Sequence, residues 1–115
     1  MFNIDREKNN KIVLTRGDSA SILVEIYDLD NNKYEIQPDD IITMTIIKPG
    51  DSVPTLTKWA TPEHYIIFEP SDTAYLDTGI YEYDVELQTT GGNVYTIVVP
   101  SLFKLTSEIT YGRVA

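Results

Sequence analysis

The sequence contains no cysteine. Disulfides, thiolate metal sites and cysteine nucleophiles are therefore excluded, in keeping with folding in a reducing compartment. Positive charge is scarce: nine Lys and Arg stand against 18 Asp and Glu, a net charge of −9. A phosphate backbone needs cationic neutralisation, so nucleic acid is not an expected partner. An anionic membrane surface is equally unattractive. No stretch approaches the roughly 18 consecutive apolar residues of a membrane span. Residues 1–8 are polar, without the apolar core of a signal peptide. Histidine and tryptophan occur once each, at His64 and Trp59.

What is present is a recurrent period-two alternation in a chain of 115 residues, 42% of them hydrophobic. That length and composition suit one domain with a buried core. Clusters of Gly, Pro, Asn and Asp punctuate the alternation at short intervals. Strands are expected over residues 11–15, 21–27, 34–36, 41–48, 55–60, 65–69, 79–88, 94–99 and 102–105. Residues 55–60 and 65–69 read as a hairpin around Thr61-Pro62-Glu63, and Pro100 reads as an interruption before the last strand. Residues 70–76 are the sole helical candidate, one turn N-capped by Ser71 or Asp72. The cleanest alternation lies in residues 79–88: Tyr81, Tyr83, Val85 and Leu87 inward, Glu82, Asp84, Glu86 and Gln88 outward. The expected fold is an all-β, immunoglobulin-like antiparallel β-sandwich of about seven to nine strands with one short helical turn. Residues 1–10 read as an N-terminal edge strand or arm, 11–110 as the sandwich and 111–115 as a tail.

No residues spell out a catalytic site, a cofactor site or a metal site. Arg16-Gly17-Asp18 matches the integrin-binding tripeptide, but a turn between strands uses the same glycine. Asp28, Asp30 and Asn32 have the opening spacing of a calcium loop. The match then fails at Lys33 and Asp39, and strand-connecting loops use the same residues for backbone hydrogen bonds. His64 has no patterned Ser or second His beside it, so it lacks the positioned partner that a general base needs. Glu82, Asp84 and Glu86 form a row on one strand face, expected to be solvated rather than an acid–base pair. Trp59, in an otherwise polar strand, is a candidate contact for a protein or a sugar; the plainer reading is packing at a sheet edge. Phe2, Ile4, Phe103 and Leu105, in the terminal segments 2–5 and 102–109, are candidates for contacts at sheet edges.

Leu76-Asp77-Thr78-Gly79-Ile80-Tyr81 resembles the segment that opens strand F of immunoglobulin-like domains, where the tyrosine hydroxyl bonds back to nearby backbone. On that likeness Asp77, Gly79 and Tyr81 form a structural corner. More broadly, Leu14-Thr15-Arg16-Gly17-Asp18, Asp40-Ile41-Ile42-Thr43-Met44-Thr45-Ile46, Phe68-Glu69-Pro70-Ser71-Asp72-Thr73 and Gly92-Asn93-Val94-Tyr95-Thr96-Ile97 stand in a familiar order. The pattern resembles the small β-sandwich N-terminal domain of phage upper baseplate proteins, found in virions and prophages of Gram-positive hosts. The resemblance covers roughly residues 11–110, and this chain lacks the helical and receptor-proximal parts that follow in that family. It implies a non-enzymatic structural protein of a baseplate, tail or head, assembled in the bacterial cytoplasm. Its expected partners are other virion proteins or further copies of itself in a homo-oligomer. The competing reading is a carbohydrate-binding or adhesion module that uses exposed aromatics such as Trp59.

Overall fold

The computed structural model describes residues 10–109. Seven strands and one short helix follow one another as β1 (Ile12–Thr15), β2 (Ala20–Leu23), β3 (Ile41–Ile47), β4 (Leu56–Trp59), β5 (Tyr65–Phe68), α1 (Pro70–Thr73), β6 (Gly79–Gln88) and β7 (Val94–Thr106). They form a five-stranded sheet in the order β1-β7-β6-β3-β4 and a two-stranded sheet of β2 and β5. Among the described residues no helix is long and apolar enough to cross a membrane.

The alternation of the sequence becomes the alternation of burial. In β6, Tyr81, Tyr83, Val85 and Leu87 are buried. Their antiparallel neighbours in β3 place Ile42, Met44 and Ile46 on the same face. Ile22, Val24 and Ile26 with Ile66 and Phe68 come from the β2 and β5 segments, and all belong to one apolar cluster with the five-stranded sheet. Burial of that face is the main source of stability. Three rings centre on Phe103: Phe68 stacks on it at 6.0 Å, and Tyr81 and Tyr83 meet it edge-on at 6.5 and 6.4 Å.

Several expectations are corrected. The large sheet is mixed rather than antiparallel, because β1 runs parallel to β7, with Ile12 opposite Phe103 and Thr15 opposite Thr106. Alternation reveals which face is apolar, not the direction of the neighbouring strand. Residues 55–60 and 65–69 do not form a hairpin: β4 pairs with β3, whereas β5 pairs with β2 in the other sheet. The turn between them carries the chain from one sheet to the other. Residues 34–36 form no strand. The preceding loop closes so tightly that only a bridge between Tyr27 and Lys33 remains, followed by the Tyr34 N–H donating to the Ile26 carbonyl at 2.8 Å.

The helix is shorter than expected, and its N-cap is Glu69 rather than Ser71 or Asp72. Proline fits the first helical position, where its missing N–H has no helical partner to lose. Pro70 therefore places the cap at the residue before it, and Asp72 accepts the Glu69 N–H at 2.8 Å. Pro100 does not end the strand. Tyr83 pairs with Ser101 and Val85 with Val98, so Val99 and Pro100 together oppose Asp84. A second shift follows, because Glu86 pairs with Thr96 and leaves Ile97 as an extra residue. A bulge is one of the few sheet positions that tolerate proline.

Candidate interaction site

Neighbours across a ladder share a face. Trp59 lies opposite Thr43, Thr43 opposite Glu86 and Glu86 opposite Thr96, so these four make one row across the outer face of the large sheet. Thr57, Thr45 and Asp84 make the adjacent row. Trp59 is 60% exposed on β4, the edge strand. Its neighbours are threonines and carboxylates rather than further aromatic rings. Asp84 and Glu86 are half-buried instead of solvated as expected, because the flanking strands crowd them on both sides. Burial raises the Asp84 carboxyl above its ordinary value, and the nearby Glu86 charge adds to the shift.

The terminal-strand expectation needs revision. Phe103 and Leu105 are 2% and 1% exposed and belong to the core. They alternate onto the inner face of β7, which at that point lies between β1 and β6. They therefore offer no contact surface. Phe2 and Ile4 lie outside the described residues, as do residues 110–115. The uncovered part of β7 is its first half. β6 pairs along nearly the whole strand, whereas β1 covers only Phe103 to Thr106. Among the described residues no strand pairs with the other side of residues 94–99. Val94, Tyr95 and Val99 are 55%, 52% and 64% exposed there.

The remaining sequence candidates serve architecture. The Arg16 guanidinium holds Glu108 at 2.8 Å and reaches the Leu76 carbonyl at 3.3 Å. Gly17, at φ 81°, donates its N–H to the buried Thr73 hydroxyl at 2.8 Å. The tripeptide is thus a clasp joining the β1–β2 turn to α1 and the end of β7. One Asp28 carboxylate oxygen accepts the N–H groups of Asp30 and Asn32, both at 2.9 Å, as a loop aspartate does. His64 sits at φ 74°, donating its N–H to the Thr61 carbonyl and accepting from the Val24 N–H. It shapes the crossing from one sheet to the other.

The Tyr81 hydroxyl donates to the Asp77 carbonyl at 2.6 Å, and Gly79 between them takes φ 140°. Tyr83 donates to the Asn10 carbonyl, and burial pushes its phenol up to about 12. Sequence reasoning missed the ion pairs, among them the two less exposed ones, Arg16–Glu108 and Lys58–Asp72, the second at 2.9 Å. Neither has a local signal, since the partners come from separate elements. In Asp72, burial acts to raise the pKa, but the Lys58 ammonium and the Glu69 N–H outweigh it and hold the carboxyl below its ordinary value.

Compared with models of known protein families the chain matches none, and it matches no curated protein.

Proposed function

We propose that this chain is an immunoglobulin-like β-sandwich module of phage or prophage virions, non-enzymatic, acting in a baseplate, tail or head through contacts with other proteins. The observation that carries this reading is the uncovered first half of β7. An open sheet edge flanked by exposed Val94, Tyr95 and Val99 is a hazard unless something blocks it or uses it. Contact with a neighbour uses it. The apolar cluster shared by both sheets supports the sandwich, and the Tyr81–Asp77 bond supports the immunoglobulin-like corner. The order of the sequence motifs supports the virion setting, with assembly in the host cytoplasm. Mass spectrometry of particles purified from the host carrying the gene tests the proposal. The expected result is this chain at a fixed ratio to the other particle proteins; its absence from the particles overturns the reading.

One observation favours a second reading. Trp59 is well exposed beside Thr43 and Glu86, and an aromatic face with polar neighbours suits a sugar ring. Fluorescence of this single tryptophan, titrated with a panel of oligosaccharides, separates the two. A saturable shift, with binding that Trp59→Ala abolishes in isothermal titration calorimetry, selects carbohydrate binding; an unchanged spectrum selects assembly.

A further inference from the structure

Residues 87–103 contain no charged side chain, and every other uncharged run in the chain is less than half as long. This run holds the end of β6, the connecting turn, and β7 as far as Phe103. The edge of β7 that no strand among the described residues pairs with lies in its middle. This open edge therefore lies in the longest uncharged run of a strongly anionic chain.

We propose that residues 94–99 pair with the same edge of a second copy, antiparallel about a twofold axis, so that two five-stranded sheets become one. The inference rests on reading this edge as a contact surface, and it names the partner. A twofold contact brings identical patches together and must be self-complementary. On a chain of charge −9, almost any self-contact sets like charges against each other. The β7 edge, within the longest uncharged run, has no charge to oppose. A basic partner would be drawn to the acidic remainder of the surface instead. The edge sequence Val94-Tyr95-Thr96-Ile97-Val98-Val99 is aromatic and β-branched throughout, the composition that packs best across paired strands. Main-chain hydrogen bonds would join the copies, as in other strand additions. The rest of each molecule repels the other, so screening by salt strengthens the pair.

Sedimentation velocity over a concentration series at low and moderate salt is the test. The wild type is expected to pass from monomer to dimer, at lower concentration when salt is added. Val94→Glu and Val99→Glu change exposed side chains and should leave the thermal melt intact while weakening dimerisation at least tenfold. Leu29→Glu adds the same charge at an exposed loop position and should leave the dimer as it is. Amide exchange at residues 94–99 should slow as the dimer forms. The two bulges twist this strand, and twisting is also a way to guard an edge. If it does so here, the wild type stays monomeric at every concentration, and self-pairing is overturned. A dimer that both glutamate variants leave unchanged overturns it equally. A monomer found in purified particles would refute self-pairing while upholding the contact reading.

Discussion

The Tyr81 hydroxyl ties the start of β6 to the Asp77 carbonyl at 2.6 Å, four residues back along the chain. Tyr81→Phe is expected to cost about 1 kcal/mol in chemical denaturation, with the core otherwise intact. This bond is legible in the sequence, because both partners lie within the single segment Asp77-Thr78-Gly79-Ile80-Tyr81. Asp72 and Asp84 form an opposed pair. The depressed Asp72 carboxyl contributes stability above its unfolded value, near 3.8, and that contribution is lost as pH falls through the depressed value. For Asp84 the sign reverses: its raised value means the folded state binds the proton more readily, so stability falls as pH rises through that value. Asp72→Asn should therefore lower the melting temperature at neutral pH, and Asp84→Asn should raise it. Two melts either side of pH 4 check both, since each difference should shrink in acid. Neither shift is legible in the sequence, because the Lys58 that holds Asp72 and the strands that crowd Asp84 arrive only with the fold.

Among the elements, β6 follows its sequence pattern almost residue for residue, because one face is core and the alternation survives over its whole length. The neighbouring β7 departs from its pattern at Pro100, where a bulge lets a strand continue through a residue that normally ends one, and a second bulge lies at Ile97. The turn after β4 misleads for another reason. A short turn looks the same whether its flanking strands pair with each other or enter separate sheets. The clasp around Gly17 has no local signature at all, since Thr73 lies far along the chain. Thr73→Val would keep the shape and remove the hydroxyl that accepts the Gly17 N–H, at an expected cost of about 1 kcal/mol. Gly79→Ala would meet no steric obstacle, but φ 140° is a conformation alanine avoids, so a loss of about 1 kcal/mol or more is expected. Urea titrations of the two variants measure both. Unchanged midpoints would mean that neither the clasp nor the corner restrains the chain.

For the whole molecule, Tyr83 sets a limit at high pH. Its phenol, held up to about 12 by burial against 10.0 when free, contributes stability at neutral pH that is lost as pH rises from about 10 through the folded value. Tyr83→Phe should flatten stability between pH 10 and 12, followed by circular dichroism. The parallel pairing of β1 with β7 has a mechanical meaning of its own. The chain enters β1 at Ile12 and leaves β7 at Thr106, at opposite ends of one ladder. Tension applied through those two ends slides the strands past each other. The ladder bonds are then loaded together in shear rather than opened one at a time, the strongest way to stress a sheet. In single-molecule pulling, attachment through the ends of β1 and β7 should give a higher rupture force than attachment across the β6–β7 turn. A module built this way could carry a stretching load along its own length.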